Sequence, residues 1–389
     1  MGEVSSPIHA YVVEIHPKQG WHEWRFYDKT TYLLMRTEQV NVSRRVTLTY
    51  DDYHTVAGVT EPWHIHSTDG YPQNDEDWKT TSDRYDVAVP PASLEMPETN
   101  HNLVQFPAGV RTVKLPARIM DGNIIVRLTI AGRGLDFILD SGSSGIAIDS
   151  GISRELGLKT MGQSVETTAG TYVQSQALIP DVSIGDIRMK NVVVDSLPFT
   201  EDQAAGTKAV GLLGYDFIAN AVLAVDYEHG TVVATVPGSF VPPADAFAVD
   251  TLLDDGVPFA SVQVGEATGD HFIIDTGASR GMIFSSFAAL HPADIVDQGQ
   301  GRQISQYSPF MSAQGVGGLI KITPIQVKVL RVGGVTLSDW LMFQSSANRA
   351  FEGEDIDGVL GYDFLKYFTV YLDYADSHIY LTPNSLAKR

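Results

Sequence analysis

Hydrophobic and polar positions divide the chain into an early part of short alternating runs and a longer remainder whose apolar runs end in small, glycine-bearing turns. In the early part, YVVEI, HEWRFYD, TTYLLMR, SRRVTLTYDDY, EPWHIHS and RYDVAVP are rich in Tyr, Trp, Val and Thr and often alternate with period two. That pattern predicts antiparallel strands, with STDGYPQND as turn chemistry between two of them. Four of the five tryptophans (Trp21, Trp24, Trp63 and Trp78) fall here and only Trp340 lies beyond, so this part is built differently from the rest. Pro90, Pro91, Pro97 and Pro107 then forbid continuous helix or central strand, and Pro237, Pro242 and Pro243 make a second break. The breaks predict a β-sheet module over 1–105 and two further domains over 106–243 and 244–389.

The two later domains repeat each other. GLLGYDFIANAVLAVDY (211–227) aligns without a gap on GVLGYDFLKYFTVYLDY (358–374), with eight of 17 positions identical. Upstream, each half carries an apolar strand entering a small turn, LDFILDSGSSGIAI and HFIIDTGASRGMIF. One β-rich fold used twice accounts for this. Each copy places a carboxylate in a tight turn: Asp140-Ser141-Gly142 and Asp275-Thr276-Gly277. A single such tripeptide is an ordinary turn; a pair at the same place in a repeat is not. Two repeats related by a pseudo-two-fold axis bring equivalent turns together. Carboxyls about 3 Å apart cannot both ionise and share one proton. One then draws a proton from water while the other protonates a carbonyl oxygen, as hydrolysis of a peptide bond requires. Ser141 and Thr276 are suited to hydrogen-bond across the axis, and Gly142 and Gly277 to let the backbones approach closely. At the next position Ser143 offers Asp140 a hydroxyl that Ala278 lacks, which predicts Asp140 as the more readily ionised member and Asp275 as holder of the shared proton.

These motifs resemble those of the retropepsin/pepsin clan of aspartic peptidases, and each half is similar to the bacterial retropepsin-like aspartyl protease domain. The family's Asp-Thr/Ser-Gly motif falls on the two turns above. Its hydrophobic-hydrophobic-Gly element, which in the family crosses beneath the catalytic loop, falls on Leu212-Leu213-Gly214 and Val359-Leu360-Gly361. The resemblance spans roughly residues 110 to 385. It implies an all-β fold: two pseudo-symmetric retropepsin-like β-barrel lobes forming a pepsin-like bilobal unit, beside the N-terminal antiparallel β-sheet module. It implies an aspartic endopeptidase in which Asp140 and Asp275 activate a water, acting on polypeptide as a monomer with both lobes in one chain, and needing no metal or organic cofactor. It also implies flap hairpins. Position and glycine content place these at 167–173, with Gly170 and Tyr172, and at 312–319, with Gly315 and Gly317. The first region resembles, more loosely, the β-sheet part of bacterial lipoprotein-carrier and lipoprotein-sorting domains, through LTYDDYHTVAGVTEPWHIHS and YDVAVPPASLEMP. That implies a periplasmic setting. The alternative is a non-catalytic peptide- or lipoprotein-binding protein that retains the lobes, against which two intact Asp-Ser/Thr-Gly turns argue. A third reading is a zymogen whose first module blocks the cleft until the chain is cut between 90 and 107.

Composition narrows the partners. With 27 Lys+Arg against 47 Asp+Glu the net charge is −20, which repels phosphate backbones and excludes nucleic acid as an expected partner. The absence of cysteine removes disulfides, thiolate metal sites and thiol nucleophiles. No run reaches the roughly 18 apolar residues of a membrane helix, and MGEVSSPIHAYVVEIHPKQG lacks the pattern of a signal peptide. His64-Ile65-His66 projects two imidazoles from one strand face, but spacing supplies no third ligand and no metal site is predicted. Asp75-Glu76-Asp77 reads as a solvated loop. Asp216 and Asp363, in the paired GYDF segments, read as caps or supports of the following helix rather than as catalytic groups.

Overall fold

The computed structural model describes residues 2–4, 9–17, 21–40, 45–90, 94, 103–167, 170–199, 207–296, 311–315, 318–345 and 356–388. They form two compact units, Met1–Asn100 and His101–Glu352 with Ile356–Arg389. Nearly all of the regular structure is strand. No helix among the described residues is long and apolar enough to cross a membrane.

The N-terminal unit is a seven-stranded antiparallel meander in chain order: Gly2–Val4, Ala10–Ile15, Glu23–Asp28, Leu34–Val40, Arg45–Val56, Val59–Thr68 and Glu76–Lys79. Two local expectations change. RYDVAVP forms no strand, and Glu76 and Asp77 stand exposed on the edge strand instead of in a loop. The reason is pairing: Ile65 lies opposite Trp78 and His66 opposite Asp77, and such cross-strand pairs outweigh the low strand propensity of acidic residues. Ala57 and Gly58, at φ 52° and 85°, make the two-residue turn that closes the hairpin at Val56 and Val59.

The second unit contains the repeat. In the first lobe, Gly211–Leu213 inserts between Arg133–Leu139, to which it is parallel (Leu139 opposite Leu213), and Ile146–Asp149, to which it is antiparallel (Ile146 opposite Leu213). The second lobe repeats this, with Gly358–Leu360 between Ala267–Ile274 and Met282–Ile283. Each lobe also carries a long hairpin, Thr160–Thr167 with Thr171–Ile184 and Met311–Gly315 with Gly318–Val332.

Six strands of a 14-stranded sheet join the lobes, in the order Thr112–Lys114, Thr231–Thr235, Val222–Asp226, Phe368–Asp373, His378–Pro383 and Phe247–Asp254. At the centre of the six, Leu223 faces Leu372 and Val225 faces Val370, all four at 0% exposure. The apolar strand that follows the short helix in each repeat thus finds its partner in the other copy. Each such side chain contributes about 1.5–3 kcal/mol over leaving it in water.

Strand alternation gives the sheets of the first lobe two apolar faces. Phe137, Leu139, Ile146, Ile148 and Leu213 enter the main core, whereas Ile138, Ala147 and Leu212 turn the other way and cluster with Leu197, Phe199 and Ala209.

Candidate active site

Both aspartates leave a buried strand and enter turns that are tied to each other across the pseudo-axis. Ser141 Oγ donates to Ile274 O at 2.7 Å and accepts the Thr276 N–H at 2.9 Å. Thr276 Oγ1 donates to Leu139 O at 2.9 Å and accepts the Ser141 N–H at 3.0 Å. Ser141 and Thr276 are both 0% exposed, so the four bonds satisfy groups that no water reaches. Only a short side chain whose one atom both donates and accepts can do this. The glycines have a different task. A Cβ on Gly142 would lie 2.8 Å from Asp275 Cγ, and one on Gly277 would lie 2.5 Å from Asp140 Cγ. Each carboxyl therefore rests against the bare backbone of the opposite turn.

The inserted strands hold the turns from below. Leu213 O accepts the Asp140 N–H at 3.1 Å, and Leu360 O accepts the Asp275 N–H at 2.9 Å. Asp216 Oδ2 accepts the Ile146 N–H at 3.1 Å and Asp363 Oδ1 accepts the Gly281 N–H at 2.8 Å. These two carboxyls therefore brace the segment leaving each turn. The cap positions themselves are Gly214 and Gly361, which have no side chain to offer, while Asp216 and Asp363 stand in the first turn of the helix and Asp363 also accepts from the Phe364 backbone there. Burial pushes Asp216 up and Asp363 up to about 6.

Desolvation raises both members of the central pair, and for Asp140 the nearby Asp275 charge adds to it, taking Asp140 well above the usual carboxylate range. Asp275 rises less. The Gly277 and Ala278 N–H groups both donate to its Oδ1, at 2.7 and 3.1 Å, and favour its charged form. Asp140 Oδ1 accepts the Gly142 N–H at 2.9 Å, while the Ser143 N–H goes to the Asp140 main-chain oxygen at 3.3 Å and Ser143 Oγ donates to Gly145 O at 3.0 Å. The Ser143 hydroxyl is thus engaged by Gly145 O and not by the Asp140 carboxyl. The backbone donors thus favour the charged form of Asp275 in a pair that titrates as a unit.

Two copies of one turn, each seated on an inserted strand and locked to the other through a buried hydroxyl, form a single constellation. A family model described as aspartyl protease matches residues 126–217 and 260–364, one segment in each lobe and half of the chain in all. The chain belongs to the aspartyl protease family. No curated protein matches it. Both matched segments run from before the aspartate turn to the short helix after the inserted strand, and residues 1–125 lie outside them.

The two stretches expected to carry flaps are hairpin ends: Thr167 pairs with Thr171, Glu166 with Tyr172, and Gly315 with Gly318. Gly170 sits at the first of these ends, and Tyr172 packs against the cluster containing Ile138, two residues before Asp140. Gly317 lies outside the described residues.

Four tyrosines escaped the sequence reading. Tyr215 and Tyr374 approach with ring centroids 6.2 Å apart, and their repeat counterparts Tyr362 and Tyr227 at 5.7 Å, so each pair crosses from one lobe to the other. Tyr374 Oη donates to Ser141 O at 3.3 Å, directly supporting the Asp140 turn. Burial pushes the Tyr374 and Tyr227 phenols up, so Tyr374 stays protonated as the donor, whereas the buried Tyr227 hydroxyl has no hydrogen-bond partner among the described residues. The signal was present, since all four stand at identical positions of the 17-residue repeat. Asp195 was also missed. It pairs with Ala147 where the second lobe pairs Phe343 with Met282, and burial with the Asp216 charge pushes it up to about 6.

Proposed function

We propose that the protein is an aspartic endopeptidase in which Asp275 acts as general base and Asp140 as general acid. In the first step the Asp275 carboxylate takes a proton from a water whose oxygen adds to the peptide carbonyl carbon, and Asp140 gives its proton to the carbonyl oxygen. A neutral gem-diol results. In the second step Asp275 passes its proton to the amide nitrogen, the C–N bond breaks, and Asp140 recovers a proton from one gem-diol hydroxyl. The products are a carboxylic acid and an amine, and the pair returns to its starting state.

The observation that carries this reading is the reciprocal Ser141–Thr276 lock, which keeps two desolvated carboxyls in contact. A binding module gains nothing from two such acids, which cost stability when buried together. An extended peptide lying between the hairpins pairs with their strands through its backbone. Ile138, Ala147, Leu197 and Leu212, beside Tyr172, favour apolar side chains near the scissile bond. One chain supplies both halves of the pair, so the active species is the monomer.

Cleavage of an unbiased peptide library between pH 3 and 8 tests this, with wild type beside Asp140→Asn and Asp275→Asn. Cuts made by the wild type and lost in both variants are the expected result. Cuts that survive in either variant would overturn the assignment, and a wild type that cuts nothing at any pH would favour the non-catalytic binding protein.

A further inference from the structure

We propose that Glu14, His16 and His22 of the N-terminal unit form a binding site for a divalent transition-metal ion, Zn2+ in first place. Strand register brings them together. Ile15 lies opposite Glu23 and Glu14 opposite Trp24, so His16 and His22, one step further, meet across the hairpin while Glu14 stands two residues back on the same face as His16. His16 Nδ1 and His22 Nε2 are 2.8 Å apart, with the rings edge-on at 4.1 Å between centroids. Glu14 Oε1 lies 3.2 Å from His16 Nε2. One ligand atom from each of the three residues falls within 4.8 Å of the others.

Those spacings suit a metal. With bonds of about 2.0–2.2 Å, tetrahedral ligand atoms stand roughly 3.3–3.6 Å apart, inside the 4.8 Å that encloses one ligand atom from each residue, so an ion enters once the side chains close by about an ångström. Two imidazoles and one carboxylate are a donor set for Zn2+, and also for Cu2+ and Ni2+, and leave a fourth position for water. The net charge of −20 adds a general attraction for cations. The Trp24 ring, 6.2 Å from that of His22 and edge-on to it, packs behind the cluster.

The other histidine pair in this unit is arranged differently. His64 is held between Asp51 and Asp77, at 2.8 Å from each, and the same Asp77 oxygen lies 3.2 Å from His66. That oxygen already bridges the two rings, so the pair forms a ladder of hydrogen bonds with carboxylates and serves as the control. The proposal stands apart from the aspartate pair and from the peptidase reading.

Isothermal titration of Zn2+ into the full chain is the test. The expected result is one equivalent bound, weakened about tenfold or more by His16→Gln or His22→Gln. The same equivalent should persist in the His64→Gln/His66→Gln variant and in the Asp140→Asn/Asp275→Asn variant. No binding, binding that survives the His16→Gln/His22→Gln double change, or binding lost in the His64/His66 variant would each overturn the assignment. Cu2+ gives a second reading by quenching Trp24, a component expected in the wild type and absent from both Trp24→Phe and His22→Gln. Quenching of equal depth in wild type and His22→Gln would refute the site by the same measure.

Discussion

Thr276→Val removes one hydroxyl from the lock while keeping the outline of the side chain. Thr276 Oγ1 donates to Leu139 O at 2.9 Å and accepts the Ser141 N–H at 3.0 Å, and Leu139, Ser141 and Thr276 are all 0% exposed. Valine would leave a buried carbonyl and a buried N–H without partners. At about 1–3 kcal/mol for each orphaned group the loss is about 2–6 kcal/mol, and the extra methyl returns at most about 1 kcal/mol. For domains of 150–250 residues, about 2–4 °C per kcal/mol turns this net loss of about 1–6 kcal/mol into a fall in Tm of roughly 2–24 °C. Thr276→Ser keeps the donor and acceptor and should recover most of the loss. Differential scanning calorimetry of the three proteins, with guanidinium titration alongside, measures both effects. A valine variant within about 0.5 kcal/mol of wild type, or a serine variant no better than valine, would show that the lock does not carry the energy assigned to it.

Three more outcomes follow from the site. Asp363, pushed up to about 6 from 3.8, holds its proton more tightly in the folded protein, so its contribution to stability falls as pH rises from about 3.8 to about 6, by roughly 3 kcal/mol. Asp363→Asn keeps the acceptor for Gly281 and should flatten that part of the stability–pH curve; an unchanged slope counts against the assignment. Gly277→Ala sets a Cβ 2.7 Å from both Asp140 carboxyl oxygens, so peptide cleavage should fall about 100-fold or more with the fold retained, and activity within tenfold of wild type would refute the close approach. Ser143→Ala should leave the acidic limb of the pH–rate profile where it is, because that hydroxyl is spent on Gly145 O; a shifted limb would restore the side-chain account of the polarity.

Residue type and separation along the chain were enough to reveal two copies of one β fold, the paired Asp-Ser/Thr-Gly turns and the inserted Leu-Gly elements, because a repeat displays the same local requirements twice. The short hydroxyl at Ser141 and Thr276 and the bare backbone at Gly142 and Gly277 are needs of the turn itself, so they were legible residue by residue. Tertiary structure decided the rest. How many backbone N–H groups reach each carboxyl depends on where the Ala278 and Ser143 N–H groups point, a property of the backbone path that side-chain identity does not encode. Tyr374 reaches Ser141 only because the two lobes pack around a shared sheet. His16 meets His22 because strand register places them opposite, while the His64-Ile65-His66 spacing, plain in the sequence, leads to hydrogen bonds with Asp51 and Asp77 instead. Sequence carries what each segment requires of its own residues; direction, register and contact between distant segments arise only when burial of apolar surface fixes how those segments lie together.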